Sequence, residues 1–323
     1  MVRKFGLLVL ACLSGLFGKD LEQIYLDEGI LAVQNAIESN LQSKNYWEKR
    51  IGNMDTKYGY YEDDIFLVVV DKKAKNLSLY DYKDGKLTNK FNNEVLTGLM
   101  GDKLVEGDLK TPVGVYEITR RFIPSDNYYG PVAFSLSYPN IYDKVKGRTG
   151  GGIWIHGFPM NGNMRIDTYK TKGCVAFEND KIIQFDEILK DNGGMVLINE
   201  NNVTEASSAQ IATIFAELFK WKKAWVDSDV KAYLDFYDKE FLRFDGMKFS
   251  DFANMKKSIF SKKEDKFIQF TKFSISPYPS TSEGSFFRVS FKEKYRTATY
   301  KFDGIKTLYV KLVGDKMKIL VEQ

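Results

Sequence analysis

Hydrophobic and polar positions change rhythm along the chain, and each change marks a boundary. Residues Phe5 to Gly18 form a uniformly apolar run behind Arg3 and Lys4. From about residue 20 to 60 the apolar positions Leu21, Ile24, Tyr25, Ile30, Leu31, Ile37 and Leu41 follow a rough helical spacing, which predicts helix, with Gly29 counting against it. Such a segment is not compact alone and must pack on another domain or on a second copy of the chain. From Ile65 the pattern shortens to strands. Ile65 to Val70 reads as a strand buried on both faces, and Leu77 and Leu79 followed by Asp84-Gly85 predict a strand and tight hairpin. Glycines at 98, 101, 107, 114, 130 and 147 punctuate a mostly β region.

From Thr204 the helical period returns. Ser207 to Gln210 reads as a capping box, with Ile211, Ile214, Phe215, Leu218 and Trp225 on one helical face behind it. Val230, Tyr233, Leu234 and Tyr237 predict a second helix, and Phe252, Met255 and Ile259 a third. After Lys266 alternation takes over, in Phe287-Val289-Phe291, Leu308-Val310-Leu312 and Met317-Ile319-Val321, the last two joined by Gly314-Asp315. Helices followed by antiparallel strands indicate a separate α+β domain. The expected layout is therefore a leader over 1–18, a helical segment over 19–61 (a candidate dimerisation element), a mostly β domain over 62–202 and an α+β domain over 203–323.

The leader has the short charged and short apolar regions of a secretory signal peptide, and is too short for a mature bilayer span of about 20 residues. This predicts export to the periplasm. Val9-Leu10-Ala11-Cys12 faintly resembles a lipoprotein box, but Leu10 fits poorly, so lipidation is the weaker reading. The formal net charge of +4 falls to +2 once Arg3 and Lys4 leave with the leader, and there is no dense Lys/Arg stripe. That balance argues against nucleic acid as a partner. Cys12 lies in the leader, so the mature chain keeps one cysteine, Cys174, and one histidine, His156. It cannot form an internal disulfide.

Those two residues sit in the most informative block, Gly151-Gly152-Ile153-Trp154-Ile155-His156-Gly157-Phe158-Pro159 followed by Thr171-Lys172-Gly173-Cys174-Val175. A thiol is a good nucleophile only as thiolate, and an imidazole can take its proton and return it to a leaving amine. Ile153 to Ile155 read as a strand delivering His156, and Gly173 permits a tight turn. The amides of Gly173 and Cys174 could then face a developing oxyanion. The bland alternative is a buried structural cysteine and a satisfied histidine. A metal centre is the poorer reading, since one His and one Cys are too few ligands for a closed zinc site.

The block resembles the L,D-transpeptidase catalytic domain (YkuD) family, which carries an HG pair and then S/T-x-G-C followed by a small apolar residue. Here these are His156-Gly157 and Thr171-Lys172-Gly173-Cys174-Val175, with Asn179-Asp180 matching the ending that follows the cysteine. Upstream, Gly101-Asp102-Lys103 and Gly107 to Tyr116 look like that family's GDxxTPxGxY stretch. The resemblance implies a cysteine enzyme without cofactor that acts on peptidoglycan stem peptides. Cys174 would attack the bond between meso-diaminopimelate and terminal D-alanine, and His156 would act as base and then acid. Gly157 would orient the imidazole through its carbonyl. Lys172, Thr171 and Trp154 are candidate substrate contacts. Lys172 and Ala176 stand where the family often has His and Arg, which puts substrate or acceptor handling in doubt. The C-terminal part resembles an NTF2-like domain whose Trp221, Trp225, Tyr233 and Tyr237 would form core or line a cone for a small ligand or glycan. The whole layout is similar to the cell-shape L,D-carboxypeptidases of helical epsilonproteobacteria, which implies a homodimer joined through the N-terminal region. Cross-linking transpeptidation and a glycan-binding scaffold with a vestigial centre are the alternatives.

Overall fold

The computed structural model describes residues 20–160, 170–190, 192–280 and 284–323. The expected leader, with Cys12, lies outside the described residues. The N-terminal segment forms α1 (Leu21–Glu28), α2 (Ile30–Leu41) and α3 (Lys44–Ile51). The first break falls at Gly29, where φ is 82°, a conformation that suits a residue without Cβ. Helix stops at Ile51 rather than running towards residue 60, and Tyr60–Tyr61 is a strand, β1.

This segment is not an appendage. Trp47 of α3 stacks on Phe215 at 4.1 Å between ring centroids, and Tyr60 and Tyr61 pair antiparallel with Ile275 and Ser274 of the C-terminal sheet. The expectation that it packs on another domain is thus met by α3 and β1, which the C-terminal domain absorbs into its core. The central domain is looped out between two parts of that core.

The central domain holds β2 (Ile65–Asp71), β3 (Asn76–Lys83), β4 (Lys86–Glu94), β5 (Gly114–Phe122), β6 (Ala133–Leu136), α4 (Ile141–Val145), β7 (Trp154–Gly157), β8 (Val175–Phe177), α5 (Asn179–Leu189) and β9 (Gly194–Asn199). Its sheet runs β4-β3-β2-β9-β5-β6-β7-β8. Asp84 and Gly85 both have positive φ, 50° and 72°, as the expected two-residue hairpin between β3 and β4 requires. Just past β4, Leu96 bridges Ala176 in β8, so the chain folds back from one sheet edge to the other. The unbroken apolar run of β2 has a direct cause. Val68 and Val70 face the core shared with α5, while Leu67 and Val69 face a second core shared with the C-terminal domain.

The C-terminal domain holds α6 (Ser208–Val226), α7 (Val230–Asp235), β10 (Tyr237–Arg243), α8 (Phe249–Ser261), β11 (Phe267–Pro277), β12 (Phe286–Arg296), β13 (Lys301–Val313) and β14 (Lys316–Glu322), in a sheet ordered β1-β11-β12-β13-β14-β10. Ser207 and Gln210 form the expected capping box of α6. Tyr237 is not on the second helix but opens β10, parallel to β14, where its hydroxyl donates to Glu322 at 2.6 Å. Trp221, Trp225, Tyr233 and Tyr237 are buried against one another, as core. The two domains meet through Tyr142 of α4, which stacks on Tyr309 and packs against Tyr278 and Phe286. Arg288 adds an ion pair with Glu117.

Candidate active site

β7 lies between β6, antiparallel, and β8, parallel. Ile153 and Ile155 point into the core, so Trp154 and His156 share the opposite face. His156 is buried, and its Nδ1 lies 2.7 Å from the Gly157 carbonyl oxygen. A carbonyl only accepts, so Nδ1 carries the proton and Nε2 is left with its lone pair. Burial lowers the imidazole pKa below its ordinary value, with the Gly157 carbonyl opposing. A neutral base results.

The register Ile155↔Val175 puts Cys174 one residue before β8, level with Trp154. The thiol donates to the Gly152 carbonyl at 3.6 Å. Burial pushes it up to about 11, with a backbone hydrogen bond at Trp154 working against that rise. The resting thiol is therefore neutral and needs a base.

The loop beneath Cys174 is tightly tied. Thr171 Oγ1 donates to the Cys174 carbonyl at 2.6 Å and accepts from Gly173 N–H at 3.1 Å. Thr111 Oγ1 reaches the same carbonyl at 3.5 Å and accepts from Gly98 N–H at 2.8 Å. Gly173 sits at φ 125°, where an added Cβ would come within 2.9 Å of the Lys110 carbonyl. Thr171 is engaged as both donor and acceptor inside the loop, and the Gly173 amide donates to it. Lys172, in the same turn, is exposed.

Beside the thiol stands an aromatic wall. Trp154 packs edge-on against Phe122 at 5.0 Å and Tyr129 at 4.9 Å, and Tyr129 packs edge-on against His156 at 5.1 Å. Burial raises the Tyr129 hydroxyl pKa, and the Cys174 thiolate, when it forms, adds to that rise. Sequence reasoning missed Tyr129. Its only signal was an aromatic pair in a turn closed by Gly130. Asn179 and Asp180 open α5, and Asn179 Oδ1 is buried with no hydrogen-bond partner among the described residues. A Cβ on Gly157 would lie 2.3 Å from that oxygen. Gly157→Ala should therefore shift β7 against α5 and lower stability by roughly 1–3 kcal/mol in urea unfolding. An unchanged midpoint would show that the space is not needed.

Residues 66–198 match the L,D-transpeptidase catalytic domain family, and residues 213–323 match the Cds6 C-terminal NTF2-like domain. The helical cell shape determining protein Pgp2 from Campylobacter jejuni is 50% identical, over 87% of this chain and 99% of that one, with a TM-score of 0.83. The chain belongs to the Pgp2 family. A variant of Pgp2 superposes at TM-score 0.85 with 49% identity, over 88% of this chain and 99% of that one. Bd1075 from Bdellovibrio bacteriovorus is 26% identical at TM-score 0.64, over 84% of this chain and 96% of that one. The putative L,D-transpeptidase YafK of Escherichia coli K12 is 30% identical over 124 residues, 36% of this chain. The match spans about half of YafK, 46% of its length. The resemblance drawn from the His156 and Cys174 motifs, and that drawn for the C-terminal part, hold at the level of family and fold. The chain has the three-part architecture of Pgp2, and its central domain is of the peptidoglycan-modifying L,D-transpeptidase type.

Proposed function

We propose that this protein is a periplasmic L,D-carboxypeptidase that trims D-alanine from tetrapeptide stems of peptidoglycan and so alters wall and cell shape. The observation that carries the reading is a neutral thiol on a braced loop at the start of β8 and, on the neighbouring strand β7, a neutral imidazole whose Nδ1 is tied to Gly157. His156 Nε2 takes the Cys174 proton as Sγ bonds to the carbonyl carbon at the L-centre of meso-diaminopimelate. The oxyanion forms against the Cys174 amide. The tetrahedral centre collapses, the C–N bond breaks, and His156 hands its proton to the D-alanine amine. Water then gives its proton to His156, attacks the thioester and releases tripeptide, and the thiolate recovers the proton.

Lys172 is the candidate contact for the leaving residue in the acylation step that trimming and cross-linking share. Its exposed position on the Cys174 turn suits the terminal carboxylate of D-alanine, which a carboxypeptidase must recognise. Incubation with purified muropeptides tests the reading. Tripeptide plus free D-alanine is the expected product, and cross-linked dimers alone would sink it.

The C-terminal domain supports a ligand-binding role beside catalysis. Lys306 pairs with Glu322 at 2.7 Å inside the domain, near Glu293, and Lys256 lies over the rings of Trp225, Tyr233 and Phe252. Burial lowers the Lys256 pKa to about 8. Burying charges among aromatics costs desolvation even where Lys306 is paired, and a polar ligand such as glycan or stem peptide would give Lys256 a further partner. Loss of muropeptide binding on Lys256→Met in an inactive Cys174→Ala background is expected. Unchanged affinity would remove this role.

A further inference from the structure

We propose that Arg148 is a positioning residue that fastens the loop carrying Cys174 to the face of the central domain on which the C-terminal domain sits. Its readout in turnover rests on the thiol chemistry proposed above, whereas its readout in thiol reactivity does not.

Arg148 stands at a fork. Its Nη1 donates to Asp143 at 2.7 Å and its Nη2 lies 2.6 Å from Asp102. Asp143 is fully buried in α4, where it completes a capping box with Asn140. Its neighbour Tyr142 is the residue that stacks on Tyr309 and packs against Phe286 and Tyr278 of the C-terminal domain. Asn140 adds a hydrogen bond to the Tyr278 hydroxyl at 3.0 Å and another to the Val115 carbonyl at 3.1 Å. The interdomain seat therefore ends at the Asp143 carboxylate that Arg148 holds.

From Arg148 two branches reach the thiol. Asp102 accepts from Val113 N–H at 2.8 Å, two residues from Thr111, whose hydroxyl meets the Cys174 carbonyl. Lys72 locks the same strip by donating to the Thr111 carbonyl at 3.0 Å and the Gly101 carbonyl at 2.6 Å. The second branch is the chain itself. Thr149 N–H donates to the Leu104 carbonyl at 3.1 Å, its carbonyl accepts from the Tyr138 hydroxyl at 3.1 Å, and Gly152 then presents its carbonyl to the thiol. A planar guanidinium bridges two carboxylates in fixed geometry, which an ammonium does not reproduce. Networks of this kind act as a unit.

The test is a double-mutant cycle in the full chain with Arg148→Lys and Tyr309→Leu, neither of which removes a reacting group. It is read in D-alanine release from tetrapeptide muropeptides and in alkylation of Cys174 by iodoacetamide. Arg148→Lys should lower kcat roughly ten- to hundredfold with KM unchanged, because small misplacements of a nucleophile have effects of that order. It should also speed alkylation, since a loosened loop lets water reach the thiol. Tyr309→Leu should move both readouts the same way to a smaller extent. The double variant should differ little from Arg148→Lys alone, as residues in one network are not additive. Additive effects, or unchanged alkylation in folded Arg148→Lys protein, would overturn the proposal. If Arg148→Lys does not fold, Asp102→Asn takes its place in the cycle. Should the wild-type chain release no D-alanine, the functional reading fails while the alkylation cycle still decides the positioning role.

Discussion

Cys174→Ala is expected to lose D-alanine release from tetrapeptide muropeptides by roughly 10⁴-fold or more, the usual outcome when a covalent nucleophile is removed. The loss should fall on kcat. The sequence has one other cysteine, Cys12, which stands far from the motif that carries Cys174. The fold should survive. The loop is held by the Cys174 carbonyl, through Thr171 and Thr111, and not by its sulfur, which makes a long 3.6 Å approach to the Gly152 carbonyl. The variant should therefore unfold near the wild-type midpoint while a steady-state assay shows no turnover. Turnover within tenfold of wild type would remove the thiol from the mechanism.

His156→Ala should show a loss of about 10³- to 10⁴-fold at pH 7, and the size follows from the thiol. A group whose proton leaves at about 11 is ionised to only about one part in 10⁴ at pH 7, so without a base few molecules react. The pH profile gives the sharper test. In the wild type the imidazole must be neutral to accept the proton, and burial holds its pKa below the ordinary value. Activity is thus fully present above that lowered pKa and is lost as pH falls through it, placing the acid limb below the usual histidine range. In His156→Ala the rate should instead climb roughly tenfold per pH unit towards about 11, tracking the bare thiolate. A flat profile in the variant would contradict the assignment of His156 as base. His156→Ala also opens space beside Tyr129, so circular dichroism should accompany the kinetics.

The sequence carried the fold wherever a period was long or a turn chemically defined. The strand of Ile65 to Val70, the Asp84-Gly85 hairpin and the Ser207 capping box all appear where their local chemistry puts them. What it hid was set by tertiary context. Tyr237 fits a helical face by spacing, yet its hydroxyl is claimed by Glu322 on a neighbouring strand. Trp47 and Tyr60 read as part of a loose helical arm, because nothing local reveals Phe215 or Ile275 as their partners. At the candidate site the residue types of Cys174, His156 and Gly157 were legible from a motif. The hydrogen bonds that tie Thr171 to Gly173 and to the Cys174 carbonyl were not legible, since only the turn itself shows the Thr171 hydroxyl occupied on both sides. Tyr129 was illegible because its turn carries no period and its neighbours come from β7.

The central claim is that water takes the acyl group from Cys174. Digestion of purified tetrapeptide muropeptides in water labelled with oxygen-18, followed by mass spectrometry, tests it most directly. The account predicts free unlabelled D-alanine and tripeptide carrying heavy oxygen in its new carboxylate, with neither formed by Cys174→Ala. Cross-linked dimers without labelled tripeptide would contradict it.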